Sequence, residues 1–198
     1  KNMAEVPVEP PPMAPVALED QRCGFIAVIG APNAGKSTLV NTLVGTKVTI
    51  VSRKVQTTRT PVRGIAVVGD SQLVFIDTPG IFQPKRRLDR AMVDAAWGGA
   101  KDADYVVFVI DAHRGVEGDS ARILERLIAS KREAVLVLNK IDTVKKEELL
   151  GLAGELNARH PFAATFMISA LRGYGVDDLK QHLAGVVNKG PWHYAADD

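Results

Sequence analysis

A short glycine-bounded segment, residues 30–37, has the clearest chemical meaning in this sequence. Gly30 and Gly35 bracket it and Lys36 and Ser37 close it, which gives the spacing G-x-x-x-x-G-K-S. A turn of this kind presents a row of backbone N–H groups that binds phosphate oxygens. In this pattern the lysine reaches the β- and γ-phosphates, and the serine hydroxyl ligates Mg²⁺. The predicted phosphate cradle is Asn33, Ala34, Gly35, Lys36, Ser37 and Thr38.

Three further polar motifs follow apolar runs. The run at 73–76 ends in Asp77-Thr78-Pro79-Gly80, and the run at 165–168 ends in Ser169-Ala170-Leu171. An aspartate at such a point can hold Mg²⁺ through water, and the N–H of Gly80 can face a γ-phosphate. We therefore expect Asp77 as a metal residue and Gly80 as a γ-phosphate sensor.

The third motif, Asn139-Lys140-Ile141-Asp142, follows the apolar run at 134–138 and indicates which base is bound. A carboxylate accepts two hydrogen bonds at once from an edge that carries two adjacent donors. Guanine offers N1–H and the 2-amino group, and adenine has no such pair. An adenine would leave Asp142 buried and unpaired, at a cost of about 1–3 kcal/mol. The sequence therefore favours a guanine nucleotide over ATP, with Asn139 and Lys140 framing the base.

The elements that must position these motifs are continuous apolar runs alternating with helical patterns. Continuous hydrophobicity is typical of parallel strands covered on both faces. A sixth run, 64–69, joins the run at 73–76 through a short polar link, which predicts a hairpin and an antiparallel edge strand. We expect an open, mostly parallel, six-stranded α/β sheet wound on both sides, with ligands at the carboxyl ends of its strands. The remaining runs are 25–29 and 105–110.

Composition and chain ends limit the class of protein. The chain has 198 residues, 46% of them hydrophobic, which suits one globular domain. One cysteine favours a reducing compartment, so we expect a cytoplasmic protein. The prolines between residues 7 and 15 predict a disordered tail over residues 1–21. Residues 191–198 follow the last helical pattern, and nothing in the pattern indicates what Trp192 and Tyr194 pack against.

The segment from Lys47 to Gly69 is basic and contains two adjacent threonines, Thr57 and Thr58. A hydroxyl here could complete a Mg²⁺ shell when a γ-phosphate is present, which would order the loop in one nucleotide state. The sequence does not decide between the two threonines. A second basic cluster lies at residues 85–90, and both clusters can be read either as solvated loops or as RNA contacts. A nucleotide-controlled RNA-binding module is thus the alternative to a GTP-hydrolysing switch.

Taken together, these motifs resemble the Ras-like P-loop GTPases, and within them the bacterial Era family. The resemblance covers about residues 22–190, and its most discriminating part is Gln56-Thr57-Thr58-Arg59. It implies a three-layer P-loop fold, slow hydrolysis of GTP with Mg²⁺, and catalytic roles for Lys36, Thr58, Gly80 and Asn33. The metal residues are then Ser37, Thr58 and Asp77, and guanine is held by Asn139, Lys140, Asp142, Ser169, Ala170 and Leu171.

Two details of the resemblance concern the reaction. Ras-like proteins usually carry a water-orienting glutamine just after the position of Gly80, whereas this chain has Ile81. Asn33 resembles a phosphate-loop asparagine that coordinates K⁺ in some relatives, so the expected cofactors are Mg²⁺ and K⁺. His113 and Asp111 end another strand, and we interpret them as structural because this reaction needs no imidazole base.

The resemblance also implies partners. Such proteins act in assembly of the small ribosomal subunit and bind its ribosomal RNA mainly through a C-terminal KH domain. We expect this protein to be a monomer. We expect residues 22–190 to be the GTPase domain and residues 191–198 a truncated linker to an absent RNA-binding domain. The family resemblance leaves open a peripheral association with membranes.

Overall fold

The computed structural model describes residues 16–45, 62–76 and 103–194, which form a six-stranded sheet. The strands are β1 (Arg22–Gly30), β2 (Val62–Val68), β3 (Ser71–Ile76), β4 (Tyr105–Asp111), β5 (Val135–Asn139) and β6 (Ala164–Met167). Their order across the sheet is β2-β3-β1-β4-β5-β6. The β2–β3 pair is antiparallel, and the other neighbouring strands pair in parallel. The predicted mostly parallel sheet with one antiparallel edge strand is confirmed.

Helices cover both faces of the sheet, so the described residues form three layers. They are α1 (Lys36–Val44), α2 (Gly118–Ser130), α3 (Lys146–Arg159) and α4 (Val176–Val186). Two apolar clusters lie on opposite faces: one contains residues of α2 and α3, the other residues of α1 and α4. Alternate residues of β1 enter opposite clusters, Ala27 the first and Ile26 the second. This two-sided burial is why the strands are continuously apolar.

The β2–β3 hairpin turns at Gly69 and Asp70, so the turn begins one residue before the predicted polar link. Gly69 has φ +57°, a conformation that suits glycine in a two-residue hairpin turn. β3 is fully buried, and it ends at Ile76 beside Ala27 of β1. The hairpin therefore brings the end of β3 to the same rim of the sheet as the end of β1.

The described residues extend beyond both predicted boundaries of the folded domain. Residues 18–20 form a 3₁₀ turn, and Gln21 accepts hydrogen bonds from the backbone N–H groups of Gly190 and Trp192. Of the predicted tail over residues 1–21, the structure describes residues 16–21; residues 1–15 lie outside the described residues.

Residues 188–194, here called the C-terminal strap, cross the amino ends of β1 and β3. Its main partner is Gln72, which is 1% exposed. The Gln72 Nε2 donates to the carbonyl of Tyr194 at 3.0 Å, and its Oε1 accepts from the N–H groups of His193 and Tyr194 at 3.1 and 3.3 Å. The indole Nε1 of Trp192 donates to the Asp70 carbonyl at 2.9 Å. Both aromatic residues therefore have packing partners that the sequence pattern did not show.

No helix in the described part of the chain combines the length and apolar character needed to cross a membrane.

Candidate nucleotide-binding site

Two glycines allow the phosphate loop to pass close to neighbouring strands. A Cβ at Gly30 would lie 2.5 Å from the carbonyl oxygen of Val109 in β4. Gly35 has φ +97° and caps the N-terminus of α1, and a Cβ there would collide with the side-chain amide of Asn139. Asn33 also adopts a left-handed conformation, with φ +68°. The loop thus turns tightly from the end of β1 into α1, so that backbone N–H groups and the helix N-terminus face the same space.

Lys36, the first residue of α1, is 3% exposed and extends back into the loop. Its Nζ donates to the carbonyl oxygens of Gly30 and Ala31 at 2.5 and 3.0 Å. Burial lowers the pKa of this ammonium group from 10.5 to about 8. A buried cation whose partners are neutral carbonyls would gain from phosphate oxygens, because hydrogen bonds between charged groups are stronger.

Asn139, the last residue of β5, joins three loops through one buried side chain. It is 2% exposed. Its Nδ2 donates to the carbonyl of Ala34 in the phosphate loop at 2.8 Å. Its Oδ1 accepts from the N–H of Lys140 at 2.8 Å and from the N–H of Ala170 at 3.0 Å. Because a carbonyl can only accept and an N–H can only donate, these partners fix the orientation of the amide.

Lys140 links the same loops by its charge. It adopts a left-handed conformation, φ +65°, and its Nζ donates to the Asn33 carbonyl at 2.7 Å and to the Asp111 carboxylate at 3.0 Å. Burial alone would raise the pKa of Asp111, but Lys140 and the N–H groups of Arg114 and His113 hold it below its usual value. Asp111 therefore stays ionised and fixes the ammonium group of Lys140 against the phosphate loop.

Asp142 lies in a 3₁₀ turn, residues 141–143, directly after Lys140. One of its carboxylate oxygens, Oδ2, pairs with Nε of Arg172 at 3.2 Å. The carboxylate is 30% exposed, so it is accessible at the rim of the sheet. An accessible carboxylate on a short, hydrogen-bonded turn is suited to accept two hydrogen bonds from the edge of a base.

The turn after β6 completes the rim. Ser169 and Tyr174 exchange two backbone hydrogen bonds, at 3.0 and 3.1 Å, which close the turn that carries Leu171 and Arg172. The hydroxyl of Thr42 in α1 donates to the Ala170 carbonyl at 3.2 Å, so the helix that follows the phosphate loop also contacts this turn. Leu171 is 86% exposed, whereas Ser169 and Ala170 are buried.

The structure thus brings together most of the residues that the sequence assigned to nucleotide binding. Asn33, Ala34, Gly35, Lys36, Asn139, Lys140, Ser169 and Ala170 belong to one network of contacts, with Asp142 beside it. Ser37 is half-buried and Thr38 exposed in the first turn of α1. Thr57, Thr58, Asp77, Gly80 and Ile81, with the basic segments 47–60 and 85–90, lie outside the described residues.

Three residues of this network were not assigned to the site from the sequence. Arg172 pairs with Asp142, Thr42 contacts the Ala170 carbonyl, and Asp111, predicted to be structural, holds Lys140. Only Asp111 carried a usable signal, because it ends a strand at the same rim as the other motifs.

Comparison with known proteins identifies relatives of the chain. A family model described as a 50S ribosome-binding GTPase matches residues 25–140, more than half of the chain. The GTPase Era of Bradyrhizobium sp. (strain BTAi1 / ATCC BAA-1182) is 59% identical over 178 residues, 90% of this chain and 58% of that protein. The chain therefore spans less than two thirds of that relative.

Two solved structures are also similar. Era in complex with MgGDPNP and nucleotides 1506–1542 of 16S ribosomal RNA is 35% identical, with a TM-score of 0.72. A single-residue variant of Aquifex aeolicus Era bound to GDP·AlF4⁻ is 35% identical, with a TM-score of 0.71. Each match covers 90% of this chain and 61% of the other.

Proposed function

The chain belongs to the family described as 50S ribosome-binding GTPases and is an Era-type member of it, and from this premise we propose that it binds GTP and hydrolyses it slowly to GDP as a molecular switch. The observation that carries the proposal is the Asn139 side chain. It connects the loop of Lys36 to the turns of Asp142 and Ala170 through three hydrogen bonds. A phosphate-binding end and a base-binding end are thereby held in one fixed arrangement.

Selectivity for guanine rests on Asp142. Its carboxylate would accept from guanine N1–H and from the 2-amino group, a pair of donors that adenine lacks. The buried network of Asn139 and Lys140 sets the position of the turn that carries it. Ser169, Ala170 and Leu171 would border the base from the neighbouring turn.

Hydrolysis in this proposal is attack by water on the γ-phosphorus while its bond to the β–γ bridging oxygen breaks, giving GDP and phosphate. Lys36 supplies positive charge to the β- and γ-phosphates. The backbone N–H groups of residues 33–38 bind the phosphate oxygens as charge moves onto them. Gly80 would direct its N–H to the γ-phosphate, and Ile81, which cannot hydrogen-bond, would leave the orientation of water to other groups.

The residues present fit Mg²⁺. Ser37 offers a hydroxyl oxygen in the first turn of α1, and β3 ends at Ile76 immediately before Asp77 in the sequence. Among the described residues, no three acidic, histidine or cysteine side chains cluster, so phosphate oxygens and water would supply most of the ligands, as Mg²⁺ prefers. Bound there, the cation would neutralise charge on the β- and γ-phosphates. Thr58, or alternatively Thr57, would add a hydroxyl in the GTP state.

K⁺ is the second cation that we propose. The left-handed backbone of Asn33 places this residue on the exposed side of the phosphate loop, next to Ala34. An asparagine oxygen there could coordinate a monovalent cation beside the phosphates, which would offset charge in the transition state.

For the biological role, we propose assembly of the small ribosomal subunit with binding of its ribosomal RNA. Support comes from the solved Era complex with nucleotides 1506–1542 of 16S ribosomal RNA. This complex is more specific evidence for the RNA partner than the reference to 50S in the family description. We propose that a domain outside residues 22–190 makes the main RNA contact, that residues 191–198 lead towards it, and that the protein is a cytoplasmic monomer. Peripheral contact with membranes would be secondary to RNA binding in this role.

Calorimetric titration with Mg²⁺ and GDP, GTP or ADP tests the nucleotide assignment. We expect GDP and GTP to bind and ADP to bind about five- to a hundredfold more weakly, as a cost of about 1–3 kcal/mol implies, with Lys36→Ala losing phosphate affinity and Asp142→Asn losing guanine affinity. The matched control is Glu155→Gln, which neutralises an exposed carboxylate on α3 away from the rim. Comparable affinities for ADP and GDP would refute the proposal.

A further inference from the structure

Arg172 contacts the carboxylate on which guanine selectivity depends. Its Nε lies 3.2 Å from Oδ2 of Asp142, and the two side chains are 60% and 30% exposed. The two residues belong to different loops, one after β6 and the other after β5. The contact therefore depends on how these loops are held relative to each other.

The backbone that carries Arg172 is well fixed. The paired hydrogen bonds between Ser169 and Tyr174 close the turn, and Gly173, with φ +77°, allows it to reverse. The start of the turn is bound by Asn139 through the N–H of Ala170. The same asparagine binds the N–H of Lys140, two residues before Asp142. Both partners of the ion pair are thus anchored to one buried side chain.

We propose that Arg172 is a positioning residue for guanine recognition, orienting the Asp142 carboxylate so that both oxygens meet the base edge together. A carboxylate has about four lone-pair sites, and two adjacent donors of guanine would use one on each oxygen. A guanidinium bound to Oδ2 uses a further site and restricts rotation of the carboxylate. The inference rests on the proposed nucleotide specificity and deepens it.

The expected effect of Arg172 on nucleotide affinity follows from the solvent exposure of its ion pair with Asp142. Ion pairs this accessible contribute little to stability, because water and salt screen them. Such an ion pair can still strengthen ligand binding, because a carboxylate that is already oriented loses less rotational freedom when the ligand binds. We expect loss of Arg172 to weaken GDP binding about two- to fivefold, corresponding to roughly 0.4–1 kcal/mol. The effect should be larger at low ionic strength.

A base with one donor instead of two distinguishes a positioning role of Arg172 from general damage to the binding site. Inosine diphosphate keeps N1–H but lacks the 2-amino group, so it needs only one oxygen of Asp142. A freely rotating carboxylate serves this ligand nearly as well as a fixed one. Replacing Arg172 should therefore lower the ratio of GDP to inosine diphosphate affinity at least twofold.

The experiment compares the affinities of wild type, Arg172→Ala, Arg172→Lys and Arg159→Ala for GDP and for inosine diphosphate, at low and high KCl. Arg159 is the control, because it is an exposed arginine at the other end of α3, about 20 Å along the helix from Lys146. We expect Arg159→Ala to match wild type. Arg172→Lys, which keeps the charge without the planar guanidinium, should recover part of the ratio.

Three results would overturn the inference: unchanged GDP affinity in Arg172→Ala, equal weakening of both ligands, or tighter GDP binding, which would mean that Arg172 competes with the base. Failure of the underlying function is recognisable separately. It would show as no GDP binding by wild type or as full GDP affinity in Asp142→Asn.

Discussion

Replacing Asn139 with alanine is the sharpest test of the network that holds the site together. The change removes hydrogen bonds of 2.8, 2.8 and 3.0 Å to Ala34, Lys140 and Ala170. At about 1 kcal/mol net for each bond, the expected loss in the free energy of unfolding is about 3 kcal/mol. Ala34 and Ala170 are 2% and 1% exposed, so their freed backbone groups are poorly placed to recover water. A further penalty of up to a few kcal/mol is then expected for groups left unsatisfied.

Urea unfolding measures this loss directly. With a slope of about 2 kcal/mol/M, a loss of at least about 3 kcal/mol lowers the unfolding midpoint by at least about 1.5 M. The control is Asn157→Ala, because Asn157 is exposed yet donates similar hydrogen bonds, at 2.8 Å to the Ala153 carbonyl and 3.0 Å to the Thr165 hydroxyl. The reasoning fails if the two alanine variants are equally stable, or if Asn139→Ala retains wild-type affinity for GDP.

Three further predictions concern the phosphate loop. Burial lowers the pKa of Lys36 to about 8 in the folded, nucleotide-free protein. Between pH 8 and pH 10 the folded protein therefore releases a proton that the unfolded chain keeps. The free energy of unfolding of the protein should rise over this interval. Urea unfolding should show wild type gaining about 2–3 kcal/mol over Lys36→Met in this interval; a constant difference contradicts the shift. Gly35→Ala should lower the melting temperature and abolish GDP binding, since the new methyl group meets Asn139 at a positive φ; a wild-type melting curve would be inconsistent with this packing. GTP hydrolysis should be faster in KCl than in NaCl at matched ionic strength, and Asn33→Ala should remove the difference, whereas equal rates in the two salts would exclude a role for K⁺.

Much of the fold could be predicted because the sheet is buried on both faces. Continuous apolar runs indicated all six strands, and the motifs after β1, β5 and β6 lie at one rim because parallel strands share a carboxyl end. The strand boundaries differ from the apolar runs that predicted them. The strand predicted from the run at 134–138 is Val135–Asn139, and the strand predicted from the run at 165–168 is Ala164–Met167. Each boundary moved by one residue, because strand pairing and not hydrophobicity sets the ends: β5 includes the polar Asn139, which pairs with Asp111, and β6 ends before the apolar Ile168.

Contacts between distant segments could not be predicted. The Asp142–Arg172 pair joins residues 30 positions apart and depends on the shape of the turn after β6. The partner of Tyr194 is Gln72, 122 positions earlier, and a glutamine inside an apolar strand gives no sign of what it binds. Such details depend on tertiary geometry, which a linear pattern does not contain.

The C-terminal strap has a practical consequence for anyone who expresses this domain. If the chain were cut after Val187, where α4 has just ended, the amide of Gln72 would lose its acceptor and its two backbone donors and would keep only the Cys23 thiol, 3.5 Å from its Oε1. The cut would also remove Tyr194, which is 8% exposed and belongs to one of the two apolar clusters, and the ring contact between His193 and Phe25. A boundary drawn at the last helix would therefore yield a weakened protein, and a recombinant fragment should reach at least to Tyr194.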